Sequence, residues 1–298
     1  DIALKAYGLI IDMGKQNPYI HSALFGYART LEEKMLSKSQ MSEKDAKTII
    51  EKYESIIQDF PGQSSAVESR YRIATIYNKI LKENDKAIDE LVILMKERSN
   101  PTISAQAGLL LSAIYLEENQ LEKSQKTLTE VVQKFRNQVP TETAKAEYSL
   151  AELLYFQGYT DSAMVKFKEL SMIANSDVAN DALTRVSMIE TNKQYTRALI
   201  LFAEAELKQK QNKLEDAITS YKAVVELAAG ADIAEMAFKE IGEIYIEKGD
   251  LIAAKKQFEE FLSKFPDSIY GDAAMMQLAA IYESEKNIDK AIEYYTNL

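Results

Sequence analysis

Along this chain apolar residues recur at the spacing of one helix face, and the pattern restarts about every 40 residues. The clearest stretch is Phe238-x2-Ile241-Gly242-x2-Tyr245, in which all four positions fall on one helical stripe. A second stripe follows in Ala254-x3-Phe258, and Pro266 then ends the helical pattern. The same order returns as Met275-x2-Leu278-Ala279-x2-Tyr282 with Ala291-x3-Tyr295, and as Arg70-x2-Ile73-Ala74-x2-Tyr77 with Ala87-x3-Leu91. It returns again as Gly108-x2-Leu111-Ser112-x2-Tyr115 with Ser124-x3-Leu128, and as Glu147-x2-Leu150-Ala151-x2-Leu154 with Ala163-x3-Phe167. Repetition at this period predicts an all-α chain built from one two-helix unit, each copy burying its apolar stripes against its neighbours.

The residue types indicate how the helices meet. Small residues at Ala74, Ala151, Gly242 and Ala279 let the second helix of a unit approach the first, and Ala87, Ala163, Ala254 and Ala291 do the same from the other side. Tyr245 and Phe258 are expected to fill the space between units. Tyr77, Tyr115, Tyr245 and Tyr282 share one register position and read as core. The prolines Pro18, Pro61, Pro101, Pro140 and Pro266 lie about one unit apart, the last gap spanning three units, and each is expected to force a turn. Helix starts are expected at Ser64, Ser104, Thr141 and Ser268.

Two places depart from regularity. Ala163 and Ala217 are separated by about half a unit more than the period requires, and Val178, Ala182, Val186 and Ile189 recur helically between them. One additional short helix is therefore expected over residues 176–192, and residues 34–45 read as a longer loop within the first complete unit. A single solenoid over 1–298 is expected, with a half repeat at 1–17 and repeats at 19–61, 64–99, 101–138 and 140–175. A repeat with an additional helix follows at 176–229, then a repeat at 231–266 and a truncated one at 268–298. Residues 2–15 read as a second helix without its partner, and residues 288–298 as a second helix cut short. With no initiator Met at Asp1, the protein is expected to continue past both ends, covering apolar faces that the terminal helices would otherwise leave open.

Composition narrows the function. Of 298 residues, 46% are hydrophobic and 28% charged, as in a packed, folded chain, and the 10 Gly and 5 Pro form no flexible linker. No apolar run reaches membrane-spanning length, so this segment is not expected to insert directly. The net charge of −10 disfavours nucleic acid as a partner, and the pairs Lys255–Lys256 and Lys208–Lys210 are flanked by acids, reading as solvated faces. The absence of Cys excludes disulfides, Cys-ligated zinc and thiol catalysis, and fits either redox compartment.

Candidate chemistry is sparse. His21 is the only histidine, which excludes a His-pair metal site and a His-based triad elsewhere, and it reads as a surface residue near a helix start. Carboxylates at helical spacing, such as Glu240 with Glu243 or Glu152 with nearby acids, read as solvated faces and not as acid–base pairs. There is no phosphate-cradling Gly-rich loop and no dinucleotide fingerprint. No catalytic residue, metal or cofactor is expected.

The unit Phe238…Pro266 resembles the tetratricopeptide repeat, matching its W-x2-L-G-x2-Y…A-x3-F…P pattern with Phe for Trp and Ile for Leu. That resemblance implies a right-handed α-solenoid of antiparallel helix pairs, whose concave groove is lined by the first helix of each pair and binds a protein or peptide without catalysis. The groove positions it implies here are Phe25, Arg29, Tyr71, Thr75, Asn78, Tyr148, Glu152, Tyr155, Met236, Lys239 and Glu243, with Met276 also facing the groove. Tyr71, Tyr148 and Tyr155 could equally be packing residues. Chaperone-binding members clamp a terminal carboxylate with Lys and Asn. The matching places here hold Tyr71 with Thr75, Tyr148 with Glu152, and Lys239 with Glu243, so that role is disfavoured. The joints Phe60-Pro61-Gly62-Gln63-Ser64 and Phe265-Pro266-Asp267-Ser268 resemble a bacterial envelope branch of the family, containing outer-membrane assembly lipoproteins and Tol–Pal coordinators. The resemblance thus implies a periplasmic or outer-membrane-associated assembly complex. A cytoplasmic adaptor, or the regulatory arm of a larger enzyme or secretion machine, is the alternative.

Overall fold

The computed structural model describes residues 2–37, 41–173 and 177–298, and the chain divides into two compact units, 1–147 and 148–298. The first contains α1 (Ile2–Asp12), α2 (Ile20–Leu36), α3 (Glu43–Asp59), α4 (Ser64–Ile76), α5 (Asn84–Lys96), α6 (Pro101–Glu117), α7 (Leu121–Phe135) and the start of α8 (Pro140–Phe156). The second contains the rest of α8, then α9 (Thr160–Ser171), α10 (Asp177–Thr191), α11 (Thr196–Lys210), α12 (Leu214–Leu227), α13 (Asp232–Glu247), α14 (Leu251–Lys264), α15 (Gly271–Ser284) and α16 (Ile288–Thr296). The described residues form no strand, and helices pack against their sequence neighbours, so the architecture is an α-solenoid.

Sequence-local chemistry explains the ends of these helices. Pro101 and Pro140 occupy first helical positions, where the missing N–H costs nothing. Side-chain caps come from Ser42, Asn100, Asp250 and Asn287, each accepting a backbone N–H three residues on. The expected starts need correcting. Ser104 lies inside α6, where its hydroxyl donates to the Glu97 and Asn100 carbonyls at 3.0 Å. Thr141 follows Pro140 within α8, and Ser268 precedes α15, its oxygen accepting the Tyr270 N–H at 3.2 Å. Ser64 does open α4, though the residue at its cap, Gln63, makes no side-chain bond.

One turn is reused after α6, α8, α11, α13 and α15 to fold the chain back. A residue with positive φ follows each (Asn119, Gly158, Asn212, Gly249 and Lys286), and the next N–H bonds back to the carbonyl of Tyr115, Leu154, Lys208, Tyr245 or Tyr282. After α4 the turn carries one extra residue. The helix widens into a π-turn over Tyr77–Leu81, and the Glu83 N–H reaches the Tyr77 carbonyl at 2.8 Å.

The register of small and large residues sets the packing. Ala87, Ala163 and Ala254 are fully buried, as are Phe258 and Phe261. A Cβ placed on Gly242 would lie 2.6 Å from the Phe258 ring, so only hydrogen fits there. The shared tyrosine position is less uniform than expected. Tyr282 is buried, whereas Tyr77, Tyr115 and Tyr245 are half-buried, each under a lysine ammonium 5.2–5.8 Å from the ring centre (Lys86, Lys123 and Lys248).

The two irregular segments also differ from expectation. Helix α2 runs to Leu36 and α3 begins at Glu43, so much of the proposed 34–45 loop is helical; residues 38–40 of it lie outside the described residues. The additional helix is present as α10, but at 15 residues it is as long as α11; Ser176, placed in it by the sequence pattern, lies outside the described residues.

Candidate functional site

Some first helices pack directly on one another. In the first unit α2 packs against α4 and α4 against α6, and in the second α11 packs against α13. Open furrows of about 310 and 550 Å³ separate second helices at equivalent places, floored by Leu111 with Tyr115 and by Ile241 with Tyr245.

On the wall of the first unit, Arg29 is exposed and pairs with Glu33 at 3.0 Å, and Tyr71 is half-buried. Burial raises the Tyr71 phenol above its usual range. The Thr75 hydroxyl is turned back to the Tyr71 carbonyl at 2.9 Å. Phe25 packs against the core with its ring 5.8 Å from Tyr53. Asn78 is buried and donates to Asn84 at 3.0 Å. Phe25 is thus taken up by core packing and Asn78 by its bond to Asn84. His21 is half-buried, not a free surface residue: Nδ1 lies 3.3 Å from the Ser65 hydroxyl and the ring faces Phe60. Behind the wall lies buried Glu32, which accepts from the Tyr53 hydroxyl at 2.7 Å and from Arg72 Nε at 3.0 Å. The sequence reading did not single out Glu32.

In the second unit Tyr148 is half-buried, its ring 5.3 Å from Phe167. Tyr155, assigned to the groove, is fully buried, because the Arg185 guanidinium of α10 lies over its ring at 5.3 Å. Its hydroxyl has no hydrogen-bond partner. Arg185 Nη1 donates to both Glu206 oxygens at 2.7 and 2.9 Å, and Nη2 donates to Glu152 at 3.1 Å. Glu152 is therefore held in an ion pair and is not a solvated carboxylate, with only 14% of its side chain exposed. At the far end of α10, buried Asn192 accepts the Ile233 N–H at 3.0 Å and donates to Asp232 at 3.3 Å, fastening α10 to the start of α13. Further along the wall Met236 is half-buried, Lys239 pairs with Glu240 at 2.8 Å, and Glu243 accepts from Gln277 at 3.0 Å. Met276 is half exposed on α15.

The electrostatics follow from burial. Desolvation raises the Glu206 carboxyl, and Glu152 and Glu240 reinforce the rise against the opposing pull of Arg185. Burial likewise raises Glu243. Arg185 is held charged despite its own desolvation by Glu206 and Glu152. No signal in the linear pattern marks Arg185, since its partners lie on other helices 21 and 33 residues away.

Residues 240–268 and 273–297 each match a tetratricopeptide repeat model. No curated protein matches the chain. Among solved structures, the chain is similar to a tetratricopeptide repeat protein from Parabacteroides merdae ATCC 43184, at 12% identity and a TM-score of 0.41, over 93% of this chain and 91% of that one. It is also similar to a Rap protein complexed with competence and sporulation factor, at 13% identity and a TM-score of 0.43, over 100% of this chain and 96% of that one. Among the described residues no helix is long and apolar enough to cross a membrane.

Proposed function

We propose that this chain is a non-catalytic scaffold that holds a protein or peptide segment along its first-helix wall. The packing of α2 on α4, of α4 on α6 and of α11 on α13 supports the reading, since it sets first helices side by side. The wall in the second unit offers apolar anchors at Tyr148, Met236 and Met276 among half-buried charges at Glu152, Lys239 and Glu243. Apolar anchors ringed by polar groups are what an extended or helical segment needs from a groove. In the first unit Arg29, Tyr71 and Thr75 hold the corresponding places.

The setting we infer is a bacterial envelope or assembly complex, on the strength of the two Phe-Pro joints at 60–61 and 265–266. A displayed peptide library panned against the chain tests the binding reading. Selected peptides should lose binding to Met236→Arg and Met276→Arg and keep it with Ile252→Arg on α14. Equal loss in all three would remove the groove.

A further inference from the structure

A second surface lies between two second helices of the first unit. Helices α5 and α7 stand apart over α6 and leave an open furrow of about 310 Å³. Buried Met95 and Leu111, with half-buried Val92 and Tyr115, make its floor apolar. Its α7 side runs from Lys123 to Glu130, two helical turns or about 10 Å.

The rim above this floor is basic, although the chain as a whole carries a net charge of −10. Lys96, Lys123 and Lys126 line it, all exposed, and among the described residues Glu130 is the one acid facing them. None of the three forms an ion pair with a described carboxylate. Lys47, Lys86, Lys166 and Lys193, in contrast, each pair with a glutamate three or four residues away. The sequence places no acid three or four residues to either side of Lys96 or Lys123. Lys123 instead lies over Tyr115 of the floor, 5.4 Å from its ring centre. The equivalent furrow of the second unit is nearer balance, with Glu226 and Glu260 against Lys222, Lys256 and Lys264.

We propose that the furrow between α5 and α7 docks an acidic amphipathic helix of a partner protein. This goes beyond the groove reading and does not depend on it. Apolar side chains three and four residues apart on the incoming helix cover the floor, and flanking Asp and Glu meet the unmatched lysines. A helix fits where an extended strand does not, because the helices bordering the furrow satisfy their own backbone groups and offer no edge to pair with. Two copies of a chain with a net charge of −10 repel one another, so the occupant is a different protein.

The test uses three fluorescent helical probes of about 20 residues, with one leucine stripe and Glu, Gln or Lys at the flanking positions. The Glu probe should bind about tenfold more tightly than the Gln probe, with affinity falling as salt rises. Lys96→Gln with Lys126→Gln should remove that advantage. The matched change Lys222→Gln with Lys256→Gln in the second unit, and Met236→Arg on the first-helix wall, should leave it unchanged. Val92→Lys should weaken every probe with helicity intact, despite its added charge, because an ammonium then occupies the apolar floor. Equal binding of Glu and Gln probes, no binding of any probe, or undiminished binding to Val92→Lys would overturn the proposal and leave the groove reading standing. Equal loss in the second-unit variant would reduce it to general charge attraction, and loss with Met236→Arg would move the probe to the wall; either result overturns it. Self-association abolished by Lys96→Gln with Lys126→Gln would make the occupant another copy and overturn it too.

Discussion

Arg185 on α10 grips both carboxylate oxygens of Glu206 on α11, at 2.7 and 2.9 Å, and so ties the additional helix into the first-helix wall. Both side chains are more than four-fifths shielded from solvent. Their worth is the difference between mutual attraction and the cost of stripping water from each ion. Removing one partner strands the other, so Arg185→Ala should cost about 3 kcal/mol of stability. The triple change Arg185→Met with Glu206→Leu and Glu152→Gln should cost far less, because Arg185 pairs with both carboxylates and no stranded ion then remains. Urea titrations of the single and triple variants measure the difference. Equal costs would show that packing, not charge, dominates there.

Tyr155 gives a sharper case, since its ring and its hydroxyl have opposite roles. The ring fills space under Arg185, and Tyr155→Ala should cost about 3–5 kcal/mol as a large cavity opens. The hydroxyl has no partner, so Tyr155→Phe should be neutral or slightly stabilising in the free chain. A thermal melt that falls substantially for Tyr155→Phe would mean the phenol is bonded after all.

These two residues mark where the linear pattern stops being informative. Gly242, Ala254 and Phe258 were legible because helix–helix contact within a unit depends on residues a dozen or so positions apart, at fixed spacing. Tyr155 sits at the register position of a groove residue, yet it is fully buried, with the Arg185 side chain of α10 laid over its ring from outside the regular repeat. Glu32 and Arg185 were illegible for the same reason. Whether a charged residue is buried and paired is decided by helices that sequence spacing does not bring together. The repeated positive-φ turn was encoded in Asn119, Gly158, Asn212 and Gly249, but these positions also read as ordinary loop polarity.

Gly242 tests the register directly. Gly242→Leu should destabilise the second unit by about 1–3 kcal/mol through overpacking against Phe258. Combining it with Phe258→Leu, which vacates part of the ring's volume, should recover some of that loss. Additive losses would mean the two side chains do not share the space.

Glu243 makes a prediction about pH. Its carboxyl is raised above the ordinary 4.5 by burial, so the folded chain holds that proton more tightly than the unfolded chain does. The native state then binds more protons in the window above 4.5, and this group's contribution to stability declines as pH rises through it. Relative to Glu243→Gln, the native chain should therefore lose stability between pH 4.5 and neutrality. A difference between the two melting curves that is independent of pH would remove the burial account of this carboxyl.

The central claim is that a polypeptide lies along the first-helix wall. Photo-crosslinking amino acids placed singly at Met236 and Met276 on that wall, and at Ile252 and Glu260 on α14, would locate it in the native host. The account predicts discrete polypeptide adducts from the two methionine positions and none from α14. Adducts confined to Ile252 and Glu260 would place the partner on the outer side and contradict it.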